Sequence, residues 1–330
     1  MAQRLLSKVL AAGMMLTTLT GGAFAQSAGA ANAKVTVGLI GVTSSVWPTL
    51  IAEEKGYFGE FGVQSEFVNT GSSAKSIQQV AAGAAHIGSS SLMDTARAIG
   101  AGTSVVVVAN GLDISMHGLI AAKSIKSVED LKGKRVIVGG TKDITNTWWA
   151  AMAKEKGLDP AKDVETVYSG STANRFAALV AGGVEAAVLA PPATFKAVDE
   201  GYVDLGAVAA YLKDVPYLVF HANKQWAAAN PDAVVGFIKA HNKAIEFLSD
   251  PKNREEAAKI LSDKARIDMD TALKNYDLIQ KIKGFAPGSS ISPDGVKKAL
   301  EILAADGDIA NANVPVGSIY DGTFVQRAKN

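Results

Sequence analysis

The chain carries two similar copies of one segment, and this duplication restricts its fold more than any other feature. The first copy is a hydroxyl-rich loop at residues 43–48, followed by a short helix that ends at Gly56. The second copy occupies residues 144–158, roughly a hundred residues later, so that Trp47 corresponds to Trp148. Serine before a first turn, proline within it and glycine after the last turn are usual helix boundaries. Each copy therefore predicts a loop that leads into a helix N-terminus.

The correspondence continues downstream of both copies. Ser72-Ser73 precedes a predicted helix at 74–82, and Ser171-Thr172 precedes one at 173–181. Two copies are too few for a solenoid, which needs at least three repeats to bury a continuous core. The duplication instead predicts two similar α/β lobes. A helix N-terminus with hydroxyl neighbours in each lobe suits a small polar or anionic molecule held between them.

The first 25 residues have the three parts of a secretory signal peptide. Arg4 and Lys8 precede an apolar run at 9–19, which is too short to span a membrane, and Ala-Phe-Ala at 23–25 is a small-x-small cleavage site. Removal of this segment changes the formal net charge from +1 to about −1, which offers no broad field to nucleic acid. The chain has no cysteine for a disulfide, a thiolate-bound metal or a lipid anchor. We therefore expect a free periplasmic protein.

Strands and helices alternate through the first two thirds of the chain, and this alternation indicates βαβ units with a mainly parallel sheet in each lobe. The predicted strands are 35–40, 63–68, 87–88, 105–109, 135–138, 164–168 and 186–189. Polar residues enter an extended run at 113–121, which we interpret as a crossing between lobes, and 216–220 as the return. The predicted first lobe is therefore 34–118 with 220–330, and the second is 119–219. Beyond the return crossing the pattern is almost entirely helical.

Several short motifs together resemble a known family. They are, in order, Gly56-Tyr57-Phe58, Gly62-Val63, Ala81-Ala82-Gly83, Asp-Leu-Lys-Gly-Lys-Arg-Val at 130–136 and Ala-Gly-Gly-Val-Glu-Ala at 181–186. This combination resembles the solute-binding proteins of ABC importers in the nitrate, sulfonate, taurine and thiamine-pyrimidine group, over essentially the whole mature chain. The resemblance implies a two-lobe periplasmic-binding-protein (Venus flytrap, type II) fold with two crossing segments. It also implies a ligand in the cleft, closure on that ligand, and docking on a membrane permease.

The candidate ligand-binding residues follow strand ends, where such folds bind ligands, or lie on the first crossing. They are Ser44, Ser45, Trp47, Ser72, Ser73, Ser90 and Ser91 in the first lobe, Asp113 and His117 on the crossing, and Thr145, Asn146, Trp148 and Arg175 in the second lobe. Each has a structural alternative, since serines cap helices, tryptophans fill cores, and histidines make structural hydrogen bonds. Arg175 falls in the first turn of a helix, where the dipole favours an anion, so a bound carboxylate or sulfonate would explain it. A solvated surface arginine is its alternative. Trp149 is expected in the core.

We expect a monomeric binding protein that takes a small organic anion, without catalytic activity, cofactor or nucleic-acid partner. A serine hydrolase would need a Gly-x-Ser-x-Gly elbow or a serine near a histidine base, and the sequence has no such elbow. An enzyme relative of this fold makes the thiamine pyrimidine with a cysteine-rich iron site, which this chain cannot build. Three alternatives stay open: a binder of a thiamine-precursor pyrimidine or other heterocycle, a binder of a zwitterion such as taurine, and a sensory or lipid-binding exported protein.

Overall fold

The computed structural model describes residues 32–212 and 214–330, so the predicted signal peptide lies outside the described residues. The strands are β1 Ala33–Leu39, β2 Val63–Asn69, β3 Ile87–Ser91, β4 Val105–Leu112, β5 Gly118–Ala121, β6 Arg135–Val138, β7 Glu165–Tyr168, β8 Ala186–Leu189, β9 Val203–Ala207 and β10 Leu218–Asn223. The helices are α1 Trp47–Glu54, α2 Tyr57–Glu60, α3 Ser73–Ala81, α4 Leu92–Gly100, α5 Ile144–Glu155, α6 Thr172–Val180, α7 Ala193–Asp199, α8 Lys224–Ala229, α9 Pro231–Ser249, α10 Arg254–Ala265, α11 Met269–Ile282, α12 Pro293–Ala305, α13 Val316–Ile319 and α14 Thr323–Ala328. Short 3-10 helices occupy Ser44–Val46, Glu129–Leu131, Val208–Tyr211, Pro251–Asn253 and Pro287–Ser289.

The strands form two five-stranded sheets of the same topology. Their orders are β2-β1-β3-β10-β4 and β7-β6-β8-β5-β9. In each sheet four strands run parallel and one runs antiparallel to them, β10 in the first and β5 in the second. Both antiparallel strands follow a crossing from the other sheet. The two-lobe α/β architecture with mainly parallel sheets is therefore confirmed. We call each sheet with the helices packed on it the first lobe and the second lobe.

The two copies of the repeated segment begin differently. In the first copy Ser44–Val46 forms a 3-10 turn, and α1 starts at Trp47 with Pro48 in its first turn. In the second copy α5 already starts at Ile144, because the Asp143 side chain accepts a hydrogen bond from the backbone N–H of Thr145 and caps the helix there. The prediction of a loop at 144–149 is therefore wrong, and those residues are helical.

Three of the described strands are missing from the predicted list: β5 and β10 fall on the segments interpreted as crossings, and β9 was not predicted at all. β9 is the edge strand next to β5, and its residues are half-buried or exposed. Its sequence Val-Asp-Leu-Gly-Ala contains aspartate and glycine, which are depleted in strands, so no β pattern is visible. Strand pairing with β5 overrides the weak local preference.

Apolar packing is continuous between the lobes beside the crossings. One buried cluster includes strand residues of the first sheet together with Phe237 of α9 and Tyr276 of α11. A second cluster joins Leu92 and Leu300 of the first lobe to Trp149 of the second. The crossings thus lie against a shared core, and the lobe boundaries at 118/119 and 219/220 stay a prediction. Within the described part of the chain, no helix combines the length and apolarity that a membrane crossing requires.

Candidate ligand-binding cleft

A cleft of about 1290 Å³ lies between the lobes. The first lobe contributes the loops after β1 and β2 and the turn between α10 and α11, and the second contributes the loops after β6, β7 and β8. His117 and Tyr217, one from each crossing, form part of its wall. The carboxyl ends of parallel strands therefore face one another across the cleft, the arrangement in which open α/β sheets bind ligands.

The lobes touch across this cleft at several points. The backbone N–H of Ser44 donates to the carbonyl oxygen of Pro191 at 3.2 Å. Lys274 lies 3.2 Å from the Asp199 carboxylate, and Lys142 of the second lobe pairs with Asp308 of the first. The described conformation is therefore closed.

Arg175 is a buried cation on the wall of the cleft. Its side chain belongs to the first turn of α6, and the residue is 2% exposed. Nε donates to the carbonyl oxygen of Val188 at 2.6 Å, and Nη1 donates to the carbonyl oxygens of Ser169 and Gly170 at 3.0 and 2.9 Å. Nη2 lies 3.2 Å from the hydroxyl of Thr172, which leaves one of its two N–H groups without a partner among residues 32–212 and 214–330.

Arg175 has no carboxylate within ion-pairing distance in the described part of the chain. Burial lowers the pKa of its guanidinium, although arginine remains protonated in proteins. The Asp143 carboxylate favours the charged form from a distance but makes no direct ion pair with Arg175. A buried charge without a direct partner is costly, and an anion in the cleft would offset that cost. The alternative of a solvated surface arginine is therefore wrong.

Two crossing residues stand beside this cation. Burial, followed by the positive charge of Arg175, lowers the pKa of His117 to about 3, so the imidazole is neutral at physiological pH. Its Nδ1 is 2.9 Å from the hydroxyl oxygen of Ser115. Burial and the nearby Asp143 carboxylate raise the pKa of Tyr217, and its hydroxyl has no hydrogen-bond partner in the described ranges. Both rings can therefore act as neutral hydrogen-bonding groups toward a ligand.

Several of the predicted residues line the cleft together. They are Ser45, Ser73, His117, Thr145 and Arg175. Thr145 Oγ1 accepts from the backbone N–H of Gly139 at 2.7 Å and donates to Asp143, whereas Ser45 is 3% exposed and has no hydrogen bond to another described residue. Ser45 thus offers a hydroxyl from the first lobe to the same cleft that Arg175 lines from the second.

Three predicted residues of the first lobe are buried away from the cleft. Trp47 is fully buried, donates from Nε1 to the carbonyl oxygen of Ala257 at 3.1 Å and packs edge-on against Tyr276, so it is not an aromatic wall. Ser44 Oγ donates to the side chain of Asn275. Ser90 Oγ lies 2.9 Å from His221 Nδ1 inside the first lobe. The structure therefore places these three side chains away from the cleft, contrary to their predicted position on its wall.

Three further predicted residues have local structural roles. Ser72 and Ser91 accept hydrogen bonds from the backbone N–H groups two or three residues into α3 and α4, as N-caps do. Asn146 donates to the carbonyl oxygen of Thr141 at 2.9 Å. Their side chains do not line the cleft.

The remaining two, Asp113 and Trp148, line a different cavity of about 790 Å³. His117 and Tyr217 line both this cavity and the cleft, and they pack against Trp148 with ring centroids 5.3 and 5.1 Å away. We call this second space the hinge cavity, because both crossing segments line it. Trp149, by contrast, is fully buried in the core, as expected.

Sequence reasoning missed Tyr217 and Asp143, which both line the cleft. Tyr217 precedes β10 on the return crossing. Its neighbours in the run 216–220 are apolar, so the sequence pattern does not single it out as a ligand-binding residue. Asp143 had a readable signal, since aspartate directly before a helical pattern is a typical N-cap. Among the described residues, no group of three or more histidine, aspartate or glutamate side chains could hold a metal ion.

Residues 43–254 match the model of the family described as NMT1/THI5 like. The chain is 25% identical over 285 residues to the putative binding protein YtlA of Bacillus subtilis, covering 79% of each. It is 24% identical over 283 residues to the nitrate/nitrite binding protein NrtA of Nostoc sp., covering 76% of this chain and 61% of that protein, less than two thirds of its length.

Solved structures share the fold. The alkanesulfonate-binding protein SsuA from Xanthomonas axonopodis pv. citri, bound to MOPS, matches with a TM-score of 0.73 and 16% identity over 87% of this chain and 98% of that one. The desulfurization enzyme DSZB matches with a TM-score of 0.63 and 12% identity over 90% and 99%. At such identities the likeness shows the fold alone, which serves both a binding protein and an enzyme.

Proposed function

The chain belongs to the NMT1/THI5-like family, and from this premise we propose that it is the extracytoplasmic solute-binding component of an ABC importer. It captures a small organic anion, a sulfonate or a carboxylate, between its lobes and delivers it to a membrane permease. NrtA is a nitrate/nitrite binding protein and SsuA is an alkanesulfonate-binding protein, and this supports an anion as the ligand. The protein acts as a monomer in the periplasm.

The observation that supports this proposal is the buried guanidinium of Arg175 on the cleft wall, which forms no ion pair with any described residue. Four of its five N–H groups are held by backbone carbonyls and one hydroxyl, so the side chain is fixed before a ligand arrives. A fixed cation with a spare donor binds an anion at low entropic cost. The first turn of α6 adds the positive end of a helix dipole.

The remaining wall favours an organic anion over a bare inorganic one. The cleft volume of about 1290 Å³ far exceeds that of a single oxyanion. The cleft also contains apolar side chains, among them Val46, Phe176 and Leu218, which can contact a carbon skeleton. Ser45 and Tyr217 supply hydroxyls for polar atoms of the ligand.

A zwitterionic ligand is the second candidate. Asp143 lines the same cleft as Arg175, and one of its carboxylate oxygens has no hydrogen bond to another described residue. An ammonium group of the ligand could pair with that oxygen while its anionic end pairs with Arg175. A taurine-like molecule has both groups.

The test begins with the solute that the purified protein carries. The protein is denatured, the released molecule is identified by mass spectrometry, and candidates are then added back in a thermal melting assay. The panel contains methanesulfonate, taurine, succinate, nitrate and a hydroxymethylpyrimidine. A ligand at 100 times its dissociation constant stabilises the fold by about 2.7 kcal/mol, which is a clear rise in melting temperature.

Two arginine variants separate the cleft from general charge effects. Arg175→Met removes the buried cation, and Arg135→Met removes an arginine of the same lobe that pairs with Glu185 at the surface. Because Arg175→Met also loses internal hydrogen bonds, the ligand-induced shift is compared and not the melting temperature itself. We expect the shift to disappear in Arg175→Met and to persist in Arg135→Met. Equal shifts in the two variants, or stabilisation by the pyrimidine alone, would contradict anion binding.

A further inference from the structure

The hinge cavity has no part in the proposed function. It lies on the other side of His117 and Tyr217 from the cleft and has a volume of about 790 Å³, which is enough for a small organic molecule. Its described lining includes residues 113–118 of the first crossing, residues 207, 209, 210, 212 and 214–217 on the way into the return crossing, and parts of α7 and α11. The first lobe supplies α11 and the second supplies α7, so both lobes bound the space.

The walls of the hinge cavity are largely apolar and partly exposed. The apolar side chains include Ile114, Trp148, Phe195, Val198, Leu278 and Ile282. Ile114 is 48% exposed and Val198 is 43% exposed, among the most exposed large hydrophobic side chains of the described residues. Contiguous exposed apolar side chains around a concavity are typical of a binding site.

Among the described lining residues, the charged side chains are all carboxylates. Asp113, Asp204 and Asp214 border the cavity, and no lysine or arginine does so among the described lining residues. Asp113 is the most enclosed of the three, and burial raises the pKa of its carboxyl. One of its oxygens accepts from Asn110 Nδ2 at 2.5 Å, whereas the other has no hydrogen bond to a described residue. A cation in the cavity would complement these carboxylates.

The aromatic side chains of the same wall suit a cation as well. Trp148, Phe195 and Tyr217 all line the hinge cavity, and aromatic faces attract ammonium groups. His117 is 4% exposed and lies between them, and its Nε2 has no hydrogen-bond partner in the described ranges. This combination of rings and carboxylates differs from the cleft, which is built around Arg175.

We propose that the hinge cavity is a second binding site, separate from the cleft, for an amphipathic organic cation that has an apolar body and an ammonium group. The ammonium group lies near Asp113 and the aromatic rings, and the apolar body contacts Ile114, Val198 and Ile282. Both crossing segments line the site, so its shape depends on how far the lobes are closed. A ligand there therefore changes the affinity of the cleft for its own ligand, and the reverse holds to the same extent.

Direct titration tests this site. Decyltrimethylammonium is titrated into the purified protein by calorimetry below its critical micelle concentration, with decyl sulfate and decyl maltoside as the anionic and uncharged counterparts. We expect the cation to bind at least ten times more tightly than either counterpart and to change the tryptophan fluorescence through Trp148. Equal binding of the three amphiphiles would mean general hydrophobic adsorption and would overturn the proposal.

A pair of valine variants locates the binding. Val198→Lys places a positive charge at the rim of the hinge cavity, and Val180→Lys does the same at a valine of the second lobe that is 49% exposed and does not line the cavity. Both side chains are exposed, so both variants should fold. We expect the affinity for decyltrimethylammonium to fall at least tenfold in Val198→Lys and less than twofold in Val180→Lys. Equal effects in the two variants would place the cation elsewhere.

A third variant tests the carboxylate and the independence of the two sites. Asp113→Asn keeps the shape of the side chain and removes its charge, so the affinity for the cation should fall about fivefold or more. Arg175→Met should leave direct binding of the cation detectable even where anion binding is lost. If Arg175→Met abolished cation binding while remaining folded, both ligands would share the cleft and the second site would be wrong.

Discussion

The carboxylates of Asp94 in the first lobe and Asp143 in the second lobe repel each other across the contact between the lobes. Burial of Asp94, followed by the charge of Asp143, raises the pKa of Asp94 to about 6. Arg97 lies 2.9 Å from one oxygen of Asp94, while the other oxygen is buried without a partner in the described part of the chain. The contact between the lobes thus contains a carboxylate that is unfavourable in its charged form.

Asp94→Asn should therefore stabilise the protein at neutral pH. Because the pKa of Asp94 is raised on folding, its stabilising contribution is complete below the unfolded value of 3.8 and is lost as the pH rises through about 6. The substitution should increase the free energy of unfolding at pH 7.5 by on the order of 1–3 kcal/mol and have little effect at pH 4. Urea unfolding at both pH values measures this difference. A variant that is less stable than the original protein at pH 7.5 would show that the pair with Arg97 outweighs the burial of the charge.

Gly170 permits the close approach of the lobes. A Cβ at this position would lie 3.0 Å from the carbonyl oxygen of Gly71 and 3.0 Å from Ser72 Cβ, both in the opposite lobe. Gly170→Val should therefore hinder closure and weaken ligand binding about tenfold, with little change in the stability of the unliganded protein. Gly317→Val is the control, since nothing lies within 4 Å of its Cβ position. Calorimetry gives the affinities, and small-angle X-ray scattering shows whether the liganded variant stays more extended. Equal affinities in the two variants would mean that this contact does not limit closure.

Lys142 should contribute to closure through an ion pair between the lobes. Its partner Asp308 is 6% exposed and also lies 2.8 Å from Arg97 of the first lobe. Lys142→Met should weaken ligand binding about threefold to tenfold, because a partly buried pair is screened less than a surface pair. The matched control is Lys132→Met, which breaks the pair with Asp163 inside the second lobe. The ligand affinities of Lys142→Met and the original protein should differ at low salt and become similar at high salt. No difference at low salt would contradict the role of this pair.

Trp47→Phe should destabilise the first lobe without affecting the ligand. The substitution removes the hydrogen bond to Ala257 and leaves part of a fully buried site empty. A loss of about 1–3 kcal/mol in the free energy of unfolding is expected. The affinity for the cleft ligand should remain within twofold of the original, measured by calorimetry. A large loss of affinity with unchanged stability would instead indicate that Trp47 takes part in ligand binding.

The sequence predicted the parts of this site that depend on local pattern. The caps at Ser72 and Ser171, and the placement of Arg175 in a first helical turn, follow from residue types at fixed offsets, and all are observed. The burial of individual side chains was harder to predict from the sequence, because the direction of a side chain depends on packing between distant segments. Trp47 turns toward α10 and α11, whose position against α1 no local pattern reveals.

Long-range pairing explains the other differences. Ser90 is polar and follows the predicted strand at 87–88, as a ligand residue would, but it lies within β3 and contacts His221 of β10, which is distant in the sequence. Tyr217 lies in the predicted return crossing, and its position beside His117 of the first crossing depends on how the two crossings pack together. The sequence thus predicts the architecture and the charged centre of the cleft, whereas the assignment of individual polar side chains needs the fold.

The exchange of antiparallel strands between the sheets determines the order in which the lobes can be completed. The second sheet takes all its strands from the continuous stretch 118–207, so it can form as soon as that stretch is available. The first sheet has β10 between β3 and β4, and β10 follows the whole second lobe in the chain. During synthesis or export from the N-terminus, β3 and β4 therefore lack their shared neighbour β10 until residue 223 has emerged. The first sheet therefore cannot be complete until the chain has passed through the whole second lobe.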